Sequence, residues 1–134
     1  MQYQISSHIV DKIRRTIPGL RCLYFYGSRA AGEHTEDSDL DLAFHATKVF
    51  DPLRKFYFTS ELASELSMEV DLVDMNNASP VFNYEVLTTG KLIFSANEVL
   101  TDWFELEVFQ RYFTFQADRR EIIEGLYERL NKYV

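Results

Sequence analysis

The sequence predicts a small domain of the mixed α/β (α+β) class, in which a mixed β-sheet is backed by helices. Short β-rich segments alternate along the chain with segments that have helical periodicity. The chain has 134 residues, the size of a single domain, and its 46% hydrophobic residues suffice for a packed core. We therefore assign residues 1–134 to one domain, with a core over about residues 1–95 and C-terminal helices over about residues 98–133.

The first two elements are a helix and a strand. Isoleucines recur at every fourth position from Ile5 to Ile17, which predicts an amphipathic helix over residues 5–16. Pro18 and Gly19 end this helix. The β-branched and aromatic run Leu20–Tyr26 is predicted to form the first strand.

The next two elements are separated by a polar connection. Residues 29–38 are polar and have room for a helical turn, and from Asp39 the segment DLDLAFHA alternates acidic and apolar residues, which is the period of a strand. Asp51 and Pro52 then supply an N-cap and a proline in the first turn for a helix that reaches about Leu66. We expect its inward face to consist of Leu53, Phe56, Ala63 and Leu66.

The remaining core elements are a strand, a helix and a short strand. The segment MEVDLVDM, residues 68–75, reads as the third strand. Ser79 and Pro80 open a helix, for which Gly90 is a suitable end. The segment KLIFSA that follows is a short strand or an extended exit.

The C-terminal third is predicted to be helical and strongly apolar on one side. Its first stripe consists of Leu100, Phe104, Val108 and Tyr112, with Trp103 beside it. The apolar repeat lapses near residues 114–117, where we expect a break. A second stripe follows with Ile122, Ile123, Leu126 and Leu130. Because aromatic residues extend beyond one core-facing stripe, both core packing and partner contact remain open for this region.

Composition excludes several classes of protein. The net charge is −7 without a basic run, so a nucleic acid is a poor direct partner and a basic protein is a good one. The single cysteine, Cys22, excludes an internal disulfide and is typical of the reducing cytoplasm. The N-terminus does not have the pattern of a signal peptide, and no segment reaches the roughly 20 apolar residues of a membrane span.

Two carboxylates on one strand face are the first indication of chemistry. Residues at i and i+2 of a strand point to the same side, so Asp39 and Asp41 project together, with Leu40 and Leu42 toward the core. Such charges about 7 Å apart repel by roughly 2 kcal/mol at an effective dielectric near 20. A divalent cation reverses the sign of that interaction, and Mg²⁺ commonly binds one or two carboxylates plus substrate phosphates.

The surrounding residues strengthen this interpretation. Gly27 ends a strand and, without a Cβ, allows the backbone to approach a phosphate closely, while Ser28 adds a hydroxyl and an N–H. A third acid, Asp71, lies in an apolar strand, so three carboxylates converge if that strand neighbours the second one. Asp74, three residues later, points to the other side and is predicted to be a turn or cap residue.

These residues together resemble the nucleotidyltransferases of the polymerase-β superfamily, whose signature is Gly-Ser, about ten residues, then Asp-x-Asp. The chain has Gly27-Ser28, ten residues, then Asp39-Leu40-Asp41. Its length resembles the minimal nucleotidyltransferases (MNT type), which consist of the catalytic half alone. The C-terminal third is also similar to the antitoxin members that are paired with a HEPN-domain ribonuclease toxin.

The resemblance implies a polymerase-β-like fold and Mg²⁺-dependent nucleotidyl transfer from ATP. It implies that the nucleotide phosphates bind at Gly27, Ser28 and Arg29, and that Asp39, Asp41 and Asp71 hold magnesium, with two ions expected. Asp71 would also help to deprotonate the acceptor. Family members often carry a second arginine where this chain has Ala31, which weakens the expected neutralisation of the triphosphate.

Three functions remain open at this point. The first is a cytoplasmic antitoxin that transfers AMP to a tyrosine of a partner HEPN toxin. The second is an enzyme that modifies a small molecule such as an aminoglycoside, against which the shortness of the chain argues. The third is an antitoxin that acts by binding alone. A template-directed polymerase is disfavoured, because the chain has no second domain and no basic groove.

Overall fold

The computed structural model describes residues 3–133, and these residues form a four-stranded sheet with helices on both faces. The elements in chain order are α1 (Ser7–Thr16), β1 (Leu20–Tyr26), α2 (Gly27–Ala31), β2 (Leu40–Ala46), α3 (Pro52–Leu66), β3 (Val70–Asp74), α4 (Pro80–Thr89), β4 (Lys91–Ser95) and α5 (Glu98–Asn131). The predicted mixed α/β class is confirmed. No helix within this described range is long and apolar enough to cross a bilayer.

The sheet has the strand order β3-β2-β1-β4 and is mixed. Strands β2 and β3 run parallel, whereas β1 is antiparallel to both β2 and β4. Apolar residues of α1 and α3 cover one face of the sheet, and those of α4 and α5 cover the other. Strand β3 therefore lies at one edge of the sheet, next to β2, which begins directly after Asp39.

The helix starts follow the capping chemistry of the sequence. The side chain of Asp51 accepts a hydrogen bond from the Leu53 N–H at the start of α3. Ser79 accepts one from the Phe82 N–H at the start of α4, and each cap is followed by a proline in the first turn. Such caps satisfy backbone donors that lack partners within the helix, which is why these predicted starts were accurate.

The predicted inward face of α3 was partly wrong. The structure buries Phe58 and Leu62, whereas Leu53 and Phe56 are 61% and 64% exposed. Leu53 lies nine residues before Leu62, or about 2.5 turns at 3.6 residues per turn, so the two residues point in opposite directions. Ala63 and Leu66 do pack against the core, as expected. The helix has apolar residues on several sides, and only contact with the sheet determines which side is buried.

The predicted break in the C-terminal region was also wrong, because α5 is one continuous helix of 34 residues. Residues 114–117 contain neither proline nor glycine, and Gln116 and Ala117 favour helix. The apolar repeat lapses there because the helix has passed the part of the domain on which it packs. A loss of amphipathic pattern therefore marked the end of a packing surface and not the end of the helix.

Candidate active site

Strand register brings two of the predicted acids side by side. Strands β2 and β3 are parallel, and Asp41 lies directly opposite Asp71 in their register. Asp39 precedes β2 and lies two residues before Asp41, so it shares that side of the strand. Leu40 and Leu42 are completely buried on the opposite face. The three carboxylates are thus grouped where β2 and β3 begin.

The electrostatics of this group follow from like charges at close range. Burial, followed by the nearby charges of Asp71 and Asp39, raises the pKa of the Asp41 carboxyl above its ordinary value. Among residues 3–133, no Lys, Arg or His forms a salt bridge with any of the three carboxylates. The group is therefore left with negative charge that the protein does not neutralise, which favours the binding of a cation.

Gly27 packs directly against the central acid. It is the first residue of α2, and its φ of +82° lies in the left-handed region. A Cβ at this position would collide with Oδ2 of Asp41. The half-buried Ser28 follows immediately. The Gly-Ser motif and the Asp-x-Asp motif are therefore two sides of one site, and glycine is required by both conformation and space.

Arg29 is buried beside the connection that leads into Asp39. The residue is only 6% exposed. Its Nε donates to the carbonyl of Ser38 at 3.0 Å, and Nη2 donates to the carbonyls of Thr35 and Glu36 at 3.4 and 3.5 Å. The guanidinium thus holds together the connection that leads into Asp39. The predicted contact of Arg29 with a nucleotide phosphate stays a prediction.

The other polar candidates lie outside the site. Asp74 is 4% exposed and accepts hydrogen bonds from the backbone N–H groups of Phe50 and Asn76, which is the loop-holding role expected for it. The ring of His45 stacks on Phe104 with centroids 3.9 Å apart. His8 lies 3.2 Å from Glu65 on the surface, and His34 lies against Tyr3.

Comparison with models of protein families assigns the chain to one family. The family model for "Polymerase beta, Nucleotidyltransferase" matches residues 8–99, which is more than half of the chain. This chain belongs to the polymerase-β nucleotidyltransferase family. The match includes the Gly-Ser motif and all three aspartates.

Relatives of this nucleotidyltransferase extend the similarity into α5. It is 32% identical over 126 residues to the protein adenylyltransferase MntA of Shewanella oneidensis, covering 94% of this chain and 90% of that one. A crystal structure of a toxin–antitoxin with AMP-PNP matches with a TM-score of 0.80 and 32% identity, covering 89% of this chain and 95% of that one. A structure of tri-AMPylated S. oneidensis HEPN toxin with MNT antitoxin matches with a TM-score of 0.74 and 30% identity, covering 90% and 94%.

The donor set of the nucleotidyltransferase fits magnesium. Carboxylate oxygens are the hard ligands that Mg²⁺ prefers. The pKa of Asp41 is raised first by burial and then by the charges of Asp71 and Asp39, and a bound cation would relieve that repulsion. Within residues 3–133, no group of three His, Cys, Asp or Glu side chains is arranged so that it could hold a metal ion by itself. Magnesium at this site would therefore need substrate phosphates as ligands in addition to the carboxylates.

One neighbour of the site escaped sequence reasoning. Tyr26 lies opposite Asp41 across β1 and β2, and its ring packs edge-on against Phe82 with centroids 5.5 Å apart. Burial, followed by the charges of Asp71 and Asp41, raises the pKa of its phenol, which therefore stays protonated. The position of Tyr26 directly before Gly27 could have indicated that it lies near the site. The sequence pattern alone identified it only as the last residue of an apolar strand.

Proposed function

We propose that this nucleotidyltransferase is an antitoxin that transfers AMP from ATP to a tyrosine hydroxyl of a partner HEPN ribonuclease toxin and so neutralises the toxin. The observation that carries the proposal is the grouping of Asp39, Asp41 and Asp71 against Gly27. This grouping lies in a chain that aligns over 94% of its length with a protein adenylyltransferase. A protein acceptor also suits a small, acidic domain.

Each residue of the site has a separate role in the transfer of AMP. The ATP phosphates lie against Gly27 and Ser28, and the missing Cβ of Gly27 leaves room for the carboxylate of Asp41. Asp39 and Asp41 would hold Mg²⁺, with Asp71 as a further ligand, and we expect two ions. When bound, magnesium neutralises phosphate charge and stabilises the entering and leaving oxygens of an in-line displacement. Arg29 keeps Asp39 in place through the carbonyls of the preceding connection.

The acceptor approaches from the open side of the site. Asp71 is exposed on the edge strand β3. The tyrosine oxygen attacks the α-phosphorus, the bond to the β-phosphate oxygen breaks, and pyrophosphate leaves. A carboxylate oxygen of Asp71 takes the proton of the acceptor hydroxyl. Positioning and charge neutralisation account for the rate, because little covalent chemistry is required of the protein.

We place this reaction in the cytoplasm. Cys22 is completely buried in β1, and burial raises the pKa of its thiol to about 11, so it remains a protonated core residue. A free cysteine is typical of proteins in a reducing compartment. ATP, the proposed substrate, is also abundant there.

Intact mass spectrometry tests the proposal directly. The protein is incubated with Mg-ATP and the HEPN-type product of the neighbouring gene, and both proteins are weighed. We expect the toxin to gain mass in whole AMP units and to lose ribonuclease activity. The double variant Asp39→Ala/Asp41→Ala should transfer nothing, whereas Asp37→Ala, at an exposed acid of the same segment, should act like the wild type.

Two results would contradict the proposal. Neutralisation of the toxin by the double variant, without any mass gain, would show that binding alone is the function. AMP transfer to an added aminoglycoside, with none to the toxin, would show a small-molecule enzyme.

A further inference from the structure

The distal part of α5, residues 117–131, projects beyond the rest of the domain, and we call it the arm. Every residue of the arm is exposed except Gly125, which is partly buried. The proximal part of α5, in contrast, packs on the domain. Phe104 and Val108 are buried against the sheet, and Tyr112 stacks on Tyr84 of α4 with centroids 3.7 Å apart.

The apolar side chains of the arm continue the core-facing stripe of the same helix. Ile122 and Leu126 each lie 18 residues after Phe104 and Val108, respectively. Eighteen residues are about five turns at 3.6 residues per turn, so both pairs point to the same side. The stripe therefore resumes in the solvent-exposed arm on the same side of the helix, after the lapse at residues 114–117. Its large exposed members in the arm are Ile122, Ile123, Leu126 and Leu130.

The arm has no packing partner within the described residues. It continues a helix that is already nucleated, but Gly125 lowers its stability by about 1 kcal/mol relative to alanine. Ile122 and Leu130 are 64% and 60% exposed, so most of the stripe in the arm is in contact with solvent. The proximal half of α5 is stabilised by packing on the sheet, whereas the apolar stripe of the arm is left for a partner surface to bury.

The size of the arm argues against a second arm as its only partner. Fifteen residues span about 22 Å, so an arm about 10 Å wide has a footprint of roughly 220 Å². A stable interface buries about 800 Å² on each side. The partner must therefore contact the domain as well as the arm.

The direction of the stripe indicates where that partner lies. Phe104 and Val108 belong to the core layer that also contains Ala43, two residues after Asp41 on the same face of β2. Phe104 stacks on His45, four residues after Asp41 on β2, so α5 covers the face of the sheet from which Asp41 projects, toward the other end of that strand. A toxin whose tyrosine reaches Asp71 must contact this face as well, so one bound protein would span the arm and the carboxylates.

We propose that the arm docks on the toxin and holds it against the carboxylate side of the sheet, an inference that rests on the proposed function. The chemistry of the stripe defines the complementary surface on the toxin. That surface is an apolar groove with an acidic group or carbonyl opposite Arg119, because Arg119 lies 11 residues, about three turns, after Val108 and so falls within the stripe.

A matched pair of variants in the full chain tests the docking. Leu126→Glu places a charge in the stripe, whereas Ala117→Glu places the same charge nine residues earlier, about 2.5 turns away and on the opposite side. Affinity for the HEPN-type product of the neighbouring gene is measured by calorimetry. We expect Leu126→Glu to weaken binding at least about tenfold and Ala117→Glu to change it less than about twofold.

Transfer kinetics and self-association are two further measurements that test the docking. Leu126→Glu should raise KM for the toxin and leave kcat at saturating toxin unchanged, because the active-site residues are untouched. Wild-type affinity of this variant would overturn the proposal. So would a loss of self-association of the chain alone with unchanged toxin binding, which would identify a second copy as the occupant.

The test separates docking from catalysis. If the wild type binds the toxin without transferring AMP, the proposed activity fails while the comparison of the two variants still decides the docking. If Leu126→Glu does not fold by circular dichroism, hydrogen exchange of the wild type decides instead. Residues 117–131 should become protected when toxin is added, and no protection would overturn the proposal.

Discussion

The alpha carbon of Gly27 faces Oδ2 of Asp41 so closely that no side chain fits between them. Gly27→Ala should therefore displace the carboxylate and also add about 1–2 kcal/mol of backbone strain. We expect AMP transfer to fall by about 100-fold or more, since misplacement by about 1 Å has that effect on catalysis. Activity and thermal unfolding of the purified variant measure the two effects.

Gly32→Ala is the matched control for that change. Gly32 has a similar φ of +76°, but a Cβ there would meet nothing within 4 Å. Gly32→Ala should lose about as much stability as Gly27→Ala and should keep its AMP-transfer activity. Equal loss of activity in both variants would mean that backbone strain, and not contact with Asp41, explains the requirement for Gly27.

Replacement of Asp41 should separate stability from function. The pKa of Asp41 is raised in the folded protein, so its ionisation opposes folding once the pH exceeds the ordinary value of 3.8. Asp41→Asn should thus be more stable than the wild type at pH 7, by roughly the 0.2–1 kcal/mol of a cross-strand pair, yet inactive. Its stability advantage should disappear below about pH 3.8, as followed by denaturant unfolding across pH. An Asn variant less stable than the wild type at pH 7 would contradict the repulsion.

Substitution of Arg29 distinguishes positioning from phosphate binding. Arg29→Lys keeps the charge and loses the forked donors to Ser38 and Thr35. We expect a loss of about 1–3 kcal/mol of stability and faster hydrogen exchange over residues 35–39, because carbonyls lose their partners. Unchanged stability with weaker ATP binding would instead support a direct phosphate contact.

The aspartates at the two ends of β3 should respond in opposite ways. Asp74→Ala leaves the N–H groups of Phe50 and Asn76 without their acceptor, which should cost about 1–3 kcal/mol. Asp71→Ala removes an exposed acid and should change stability by less than about 0.5 kcal/mol while it abolishes transfer. Chemical denaturation and the AMP-transfer assay on both variants test this contrast. A destabilised Asp71→Ala would assign that residue a structural role.

Local sequence patterns determined the elements and the candidates for chemistry. The caps Asp51 and Ser79, the period-2 segment after Asp39 and the spacing from Gly27-Ser28 to Asp39 depend on residues close together in the chain. Backbone conformation and capping respond to such neighbours directly, so these features could be predicted without a fold.

Only the tertiary structure decided which residues meet. The pairing of Asp41 with Asp71, the contact of Gly27 with Asp41 and the burial of Arg29 join residues that are distant in sequence or cross a loop. The buried side of α3 and the continuity of α5 were missed for the same reason. An apolar pattern shows that a surface can be buried, whereas the element packed against it determines which surface is buried and where burial ends.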